Sequence, residues 1–394
     1  MASKPTRRTL LTASLAGAAA AAAPSLAAPA GATPGSAGEL SRRIDEIVAT
    51  IRPRDIGITV AVSRRGRTIF TKGYGLRDRG RPDRFTGEDF FEVEQLDDRL
   101  HLSRGRRPAT CDTIYNLGSI SKGYTAAAVL RLHERGRLSV HDPLGKYLPA
   151  YSRAAGITLL QLMQQVTGVP DYNQFPLFQP AYDAFLASGE RDHSAVVATL
   201  ETLPLEFTPG SQYAYSNSNF LLLALVVQKV TRMPLGEFLE KTFFRPLRMT
   251  DTTQGYPAHG SRDVALGYYA EEDGVRRAYQ WNLPWMLGAG GVTGTAGDLA
   301  RWDAALLGPD LFRAETLRMM FTPNLGSYAC GWVVQSHQGK PLIWHNGTVG
   351  GFHAMHALFP EDHIAVVLLG NDQTTPAQLD PSATKVFDAI TGIR

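Results

Sequence analysis

The chain has 394 residues, of which 44% are hydrophobic and 20% are charged. This length permits one large domain or two interleaved ones, and the composition excludes a disordered or fibrous protein. The formal net charge is +3, but residues 1–38 carry three basic side chains and no acidic one, so the remainder is neutral. A neutral body argues against nucleic acid or an anionic membrane surface as a partner.

The first 38 residues have the order of an export signal. Lys4, Arg7 and Arg8 precede an apolar stretch over 10–23, and the Arg7-Arg8 pair is typical of a twin-arginine signal. A spanning helix needs about 20 strongly apolar residues, whereas this stretch is mostly alanine and ends at Pro24. We therefore expect cleavage rather than an uncleaved anchor, with no stable membrane span in the mature chain. The mature protein is expected in the periplasm or outside the cell.

Cys111 and Cys330 are the only cysteines. In an exported protein they could form a disulfide. Two buried thiols are the alternative, because a count of two does not establish a bridge.

The N-terminal half begins with strands and continues with helices. Two β-rich runs either side of a glycine turn predict a hairpin over 56–75. Residues 77–107 are dense in Arg, Asp and Glu, which indicates a solvated insertion, with a binding surface as the alternative. Helix formers run without a breaker over 119–135, and further helices are predicted over 220–231 and 234–244.

The C-terminal part returns to strands. A helix is predicted over 298–307 and a closing helix near 377–390. Between them, strand patterns cover 331–335, 342–345, 354–359 and 364–369, and Pro360-Glu361-Asp362 predicts a hairpin turn between the last two.

Strands at both ends of the chain are most simply joined in one sheet. The sequence therefore predicts an α/β (α+β) fold, in which an antiparallel sheet is flanked by helices and an all-helical lobe is inserted. After the signal and linker at 1–38, one domain is expected over 39–394. Its sheet lobe would take about 39–118 and 285–394, and its helical lobe about 119–284.

A hydroxyl and an amine lie three residues apart in Ser119-Ile120-Ser121-Lys122, at the predicted start of a helix. This spacing places both side chains on the same helix face. A serine becomes a good nucleophile when a base takes its proton, and a desolvated lysine can have its pKa lowered enough to do so. Alone the pattern is common, and a solvated helix start would explain it.

A phenol and an amide lie two residues apart in Tyr215-Ser216-Asn217, where a polar turn leads into a predicted helix. Tyr215 could act as general base or acid near the Ser119 oxygen, and Asn217 could hold both Lys122 and a substrate carbonyl. The alternative is a helix cap with a buried tyrosine.

A polar side chain and a glycine follow a predicted strand in His345-Asn346-Gly347-Thr348. A glycine at a strand edge lets a substrate approach the backbone closely. The amides of Ser119 and Thr348 are the expected oxyanion donors, with Gly347 and Asn346 beside the substrate.

The order Ser-x-x-Lys, Tyr-x-Asn, His-x-Gly resembles the superfamily of penicillin-binding proteins, DD-peptidases, class C β-lactamases and related esterases. The resemblance covers nearly all of 56–371. Further landmarks are Tyr115-Asn116-Leu117-Gly118-Ser119, the Gly136–Pro143 segment, Thr167-Gly168-Val169-Pro170 and Gly290-Gly291-Val292. The resemblance implies the β-lactamase/transpeptidase-like fold. It also implies acyl transfer through an ester on Ser119, with Lys122, Tyr215 and His345 assisting and no cofactor.

Three positions depart from the family pattern, and two of them bear on the substrate. His345 stands where class C β-lactamases typically carry Lys, which favours a peptidase or another non-lactamase member. Asn346 stands where peptidases usually have a hydroxyl residue that helps to bind the substrate carboxylate, and Gln165 stands where relatives commonly have His, which we interpret as structural drift.

The expected reaction is hydrolysis of an amide or peptide bond, as in a D-alanyl-D-alanine carboxypeptidase, with a small molecule or a cell-wall peptide as substrate. A carboxylesterase or a class C-type β-lactamase is the first alternative. A non-catalytic protein that binds penicillin or peptidoglycan is the second. His345, His353 and His356 fall close together, but a metal site is not expected, because His353 and His356 on one strand would face opposite ways.

Overall fold

The computed structural model describes residues 34–51, 56–80, 106–174, 176–257, 263–271, 274–278, 282–373 and 376–392. Most of the predicted signal, over 1–33, and the centre of the predicted insertion, over 81–105, lie outside the described residues.

A six-stranded antiparallel sheet joins the two ends of the chain. Its order is β10-β11-β12-β13-β1-β2. The strands are β1 (Ile58–Arg64), β2 (Arg67–Tyr74), β10 (Val333–His337), β11 (Lys340–Val349), β12 (Phe352–Phe359) and β13 (Ile364–Gly370). The first and last strands pair directly, from Ile58 opposite Gly370 to Arg64 opposite Ile364. The predicted hairpin and the predicted C-terminal strands are thus confirmed as parts of one sheet.

Both faces of the sheet are covered, which explains why its central strands are almost continuously apolar. Val60 and Val62 pack in one apolar cluster with α1 (Pro34–Ile51) and α12 (Ser382–Thr391). Ala61, between them, points to the opposite face and belongs to the larger cluster shared with the helical lobe.

The helical lobe lies between β5 (Tyr115–Asn116) and β9 (Val292–Gly294) in the sequence. Its helices are α2 (Ser121–Glu134), α3 (Leu159–Met163), α4 (Gln179–Ala187), α5 (Ser194–Thr202), α6 (Asn217–Thr231), α7 (Leu235–Leu239) and α8 (Leu283–Gly290). The centre of α6 is buried on nearly all sides because α2, α3, α7 and α8 pack around it. This inserted lobe confirms the predicted fold class, whereas the lobe boundaries stay a prediction.

Smaller elements complete the fold. The remaining helices are α9 (Ala296–Leu306), α10 (Ala314–Phe321) and α11 (Pro376–Leu379). The short strands are β3 (Leu76–Arg79), β4 (Arg106–Pro108), β5 (Tyr115–Asn116), β6 (Thr253–Gln254), β7 (Tyr268–Glu271), β8 (Gly274–Arg277) and β9 (Val292–Gly294). Among the described residues, no helix is both long and apolar enough to span a bilayer.

Several predicted boundaries differ from the structure. The helix predicted from Ser119 begins at Ser121, after a single 3₁₀ turn. The predicted closing helix is two helices, because Pro381 has no N–H to continue the first one. Helix α1 begins at Pro34, inside the predicted linker.

Cys111 is exposed and Cys330 is buried, and both thiols are free.

Candidate active site

Ser119 lies in the 3₁₀ turn that connects β5 to α2. Gly118, just before it, has φ +50°, a conformation that glycine adopts without strain. The Gly118 amide donates to Asn116 Oδ1 at 2.9 Å, and the Leu117 amide donates to Val292 O at 3.0 Å. The turn is therefore fixed on both sides, and Ser119 remains partly exposed at its tip.

Lys122 is the second residue of α2, three positions after Ser119, and is fully buried. Its Nζ is 3.0 Å from Ser119 Oγ and donates to Asn217 Oδ1 at 2.8 Å and to Ala289 O at 2.7 Å. Burial lowers the pKa of Lys122 to about 7, and the negative charge of Asp171 raises it in part. A neutral amine donates two of these bonds and keeps a lone pair for the Ser119 proton. The predicted Ser-Lys contact is thus present.

Tyr215 approaches the serine from the loop before α6. Its hydroxyl donates to Ser119 Oγ at 2.7 Å, and Lys122 Nζ lies 4.7 Å from the centre of its ring. Desolvation raises the pKa of Tyr215 above its ordinary value, so the phenol is protonated at neutral pH. The arrangement therefore assigns the first proton acceptance to Lys122 and leaves Tyr215 as a proton donor.

Asn217 is held by a residue that the sequence analysis missed. Asp171 Oδ2 accepts from the Asn217 side-chain amide at 2.8 Å and from its backbone amide at 3.3 Å. This fixes the amide so that Oδ1 faces Lys122. Asp171 follows directly on the landmark Thr167–Pro170, and that adjacency is the signal that could have found it.

The strand β11 approaches the serine turn through two glycines. A Cβ on Gly347 would lie 2.0 Å from Leu117 O and 2.9 Å from the Ser119 amide nitrogen. A Cβ on Gly118 would lie 3.0 Å from the Thr348 amide nitrogen. The two segments can approach this closely only without side chains, and the Ser119 and Thr348 amides both lie where the segments meet. An oxyanion hole formed by these two amides stays a prediction.

His345 lies beside the site, but its hydrogen bonds are to other groups. Its Nδ1–H donates to Asn346 O at 2.6 Å, so Nε2 accepts from the Tyr328 hydroxyl at 2.9 Å. Burial, followed by the charge of Lys122, lowers the pKa of His345 to about 3. Its ring centre is 6.3 Å from that of Tyr215. We infer that a neutral His345 and Tyr328, also missed from the sequence, support the wall behind Tyr215.

Asn346 does not join the group around Ser119. Its side-chain amide donates to Asp380 Oδ2 at 2.9 Å, because alternate residues of a strand face opposite ways. The next residue on that face, Thr348, contacts His353 Nδ1 at 2.6 Å through Oγ1, and His353 Nε2 contacts Asp380 Oδ1 at 2.6 Å. Sequence reasoning did not anticipate this chain of contacts.

Gln165 holds the loop that carries Tyr215. The sequence led us to interpret this residue as structural drift, but its contacts give it a positioning role. Its backbone carbonyl accepts from the Ala214 amide at 3.1 Å, and its side-chain Oε1 accepts from the Ser216 amide at 3.1 Å. The residues on both sides of Tyr215 are thus bound to Gln165, which is itself fully buried.

The three histidines considered as metal ligands have separate partners. His356 bonds to the buried Asp303, whereas His345 and His353 have the partners given above. Within the described ranges, no group of three or more His, Cys, Asp or Glu side chains is arranged to hold a metal ion.

Comparison with known proteins places these residues in a known family. The sequence model of the Beta-lactamase family matches residues 41–389. Protein flp of Staphylococcus aureus (strain NCTC 8325 / PS 47) is 25% identical over 329 residues, covering 80% of this chain and 59% of its own length. Penicillin-binding protein 4* of Bacillus subtilis (strain 168) is 26% identical over 287 residues, covering 68% of this chain and 63% of its own length. The chain thus spans about six-tenths of the length of these curated relatives.

A solved structure shows the same fold. The D-amino acid amidase of Ochrobactrum anthropi, complexed with D-phenylalanine, superposes with a TM-score of 0.72 at 18% identity, covering 91% of this chain and 99% of the amidase. At this identity the likeness establishes the fold alone, and it confirms the predicted β-lactamase/transpeptidase-like architecture.

Asp171→Asn should shift the pH dependence of acylation at Ser119. The variant keeps an oxygen acceptor for Asn217 but removes the charge that raises the pKa of Lys122. Because the neutral amine is the reactive form, the wild-type rate should rise through about pH 7 to a plateau. In the variant the midpoint should move lower, by roughly 0.5 to 1 pH unit. The measurement is the rate of reaction with an activated ester between pH 5 and 9.

Asp183→Asn is the matched control, because Asp183 is an exposed carboxylate of the same lobe that bonds only Gln179 among the described contacts. Its midpoint should equal that of the wild type. An unchanged midpoint in Asp171→Asn would contradict the electrostatic role of Asp171.

Proposed function

Because the chain belongs to the Beta-lactamase family, we propose that it is a serine amidohydrolase that cleaves amide or peptide bonds through an ester on Ser119. The observation that carries the proposal is the double contact of Ser119 Oγ, with a buried lysine amine at 3.0 Å and a protonated phenol at 2.7 Å. A base and an acid at one oxygen are what cleavage of an amide needs.

In the proposed reaction, Ser119 Oγ forms a bond to the substrate carbonyl carbon while its proton passes to Lys122 Nζ. The carbonyl oxygen becomes an oxyanion that accepts from the amides of Ser119 and Thr348. When the C=O bond reforms, the C–N bond breaks and the leaving nitrogen takes a proton from Tyr215. The ammonium of Lys122 then gives the proton that it took from Ser119 to the Tyr215 phenolate. A water molecule then repeats the sequence and releases the acyl group.

An amide substrate is favoured over an ester because of Tyr215. An amine must be protonated to leave, whereas an alkoxide or phenoxide from an activated ester leaves more readily. Tyr215 has its proton and directs it at Ser119 Oγ, next to where the leaving nitrogen would lie. Two classes of amide are candidates. Peptides ending in D-alanyl-D-alanine are expected from the sequence, and amides of D-amino acids are suggested by the name of the amidase.

The test is intact mass of the protein after exposure to a fluorescent penicillin, an activated ester, a D-alanyl-D-alanine peptide and a D-amino acid amide. We expect an adduct or turnover that is lost in Ser119→Ala, with release of amine from at least one of the two amides. Turnover of the ester alone would replace the proposal with a carboxylesterase, and rapid turnover of a chromogenic cephalosporin with a β-lactamase. Binding without any adduct would indicate a non-catalytic protein.

We also propose that the protein is exported by a twin-arginine signal within residues 1–38, on the basis of Arg7, Arg8 and the apolar stretch that follows. Residues 1–38 fused to a reporter should direct it out of the cytoplasm. The Arg7→Lys/Arg8→Lys pair keeps the charge and should abolish export, whereas Lys4→Arg, the matched control, should not. Equal export of all three fusions would contradict a twin-arginine signal.

A further inference from the structure

We propose that one end of the helical lobe, remote from Ser119, binds a surface of anionic lipid through exposed basic side chains. Residues 131–137 and 229–248 form this end, which we call the basic end. Docking of this kind does not depend on the chemistry proposed for Ser119.

The charge of the basic end differs from that of the chain around it. Residues 39–394 carry equal numbers of basic and acidic side chains, whereas the basic end has eight basic and three acidic ones, a net charge of +5. A local excess of one sign of charge attracts a surface of the other sign. The neutral balance of the whole body, which argued against an anionic membrane surface as a partner, therefore does not extend to this end.

Most of these cations are exposed and unpaired. Five exposed cations have no acidic partner among the described residues: Arg135, Arg137, Lys229, Arg232 and Arg248. Lys241 is also exposed, and it pairs with the exposed Glu237. Because an exposed ion pair contributes little to stability, this pair can open to a stronger anionic partner.

The fold brings the two segments of the basic end together. Helix α2 ends at Glu134 and α6 at Thr231. Arg137 Nη2 donates to Val230 O at 2.8 Å and so links the chain after α2 to the last turn of α6. The carbonyls at the end of a helix carry partial negative charge, which favours a guanidinium at this position.

A cavity of about 370 Å³ lies between the two segments. Its lining combines three cations with three apolar side chains: Arg135, Arg137, Lys241, Leu132, Met233 and Phe238. A soluble polyanion is matched by cations alone, whereas a lipid surface offers both phosphate groups and apolar chains. The combination favours anionic lipid over a soluble polyanion.

Docking at the basic end leaves the Ser119 cleft accessible. Helix α6 begins at Asn217, which accepts from Lys122, and ends at Thr231, which lines the cavity. At 1.5 Å per residue, the 15 residues of α6 separate these two positions by about 20 Å. The protein can therefore bind lipid and substrate at the same time.

The test is binding of the full chain to vesicles of equal parts phosphatidylglycerol and phosphatidylcholine, compared with vesicles of phosphatidylcholine alone. Every protein tested carries Lys4→Gln, Arg7→Gln and Arg8→Gln, so that residues 1–38 contribute no basic side chain. We expect at least about tenfold tighter binding to the anionic vesicles at low salt. This preference should disappear at about 0.5 M salt, because salt screens exposed charges.

The Arg135→Gln/Arg137→Gln/Lys241→Gln variant should reduce the preference to within about twofold, because each basic side chain near anionic lipid contributes about fivefold in affinity. The matched control is Arg64→Gln/Arg65→Gln/Arg67→Gln. It removes the same charge from three exposed arginines of the β1–β2 hairpin and should retain the preference. Circular dichroism and the melting temperature of each variant show whether it folds as the wild type does.

Equal loss of the preference in both triple variants would overturn the proposal, because net charge and not the basic end would then drive binding. Retention of the preference without the three basic side chains of the cavity would also overturn it, as would absence of the preference in wild type. Binding of polyphosphate without a preference for anionic vesicles would assign the basic end to a soluble polyanion and contradict a lipid partner.

Discussion

The chemistry proposed for Ser119 depends on the enclosure of one amine. Lys122 is excluded from water, and burial lowers its pKa to about 7 because the ammonium loses its solvation. Its hydrogen bonds to Asn217 and Ala289 require that α2, α6 and α8 are packed together. Because the unfolded chain binds this proton more readily than the folded one, stability contributed by this site falls as the pH drops from about 10.5 towards 7. The same burial gives the proposed base a pKa near 7. Such a trade-off between stability and activity is common in proteins.

The second constraint is the closeness of two backbone segments. The turn before α2 belongs to the helical side of the cleft, and β11 belongs to the sheet. They meet at Gly118 and Gly347, where a Cβ would overlap the opposite backbone. The antiparallel pairing of β11 with β12 fixes this approach, and the same pleat places His345 on one face and Asn346 and Thr348 on the other. One strand thus places the His345 ring beside Tyr215 and the Thr348 amide beside the serine turn.

Much of the fold and the centre of the candidate site could be predicted from the sequence. Periodicity and turn residues predicted the hairpin, the C-terminal strands and the inserted helices, and the three motifs brought Ser119, Lys122 and Tyr215 to one contact. The supporting residues were not accessible, because their roles depend on contacts between distant segments. Asp171 meets Asn217 across 46 positions, and His353 meets Asp380 across 27, where nothing in local spacing links them. The face of β11 on which the Asn346 side chain lies depends on the strand register, which the motif alone does not fix.

The protonation state of Lys122 is the central claim, and it can be measured directly. Lysine ¹³Cε resonances followed by NMR between pH 5 and 11, with assignment by comparison with Lys122→Met, report each amine separately. We expect the Lys122 resonance to titrate near pH 7, far below the ordinary value of 10.5. If it titrates near 10.5 instead, the amine is an ammonium at neutral pH. Ser119 would then lack the proposed base, and the account of the site would be wrong.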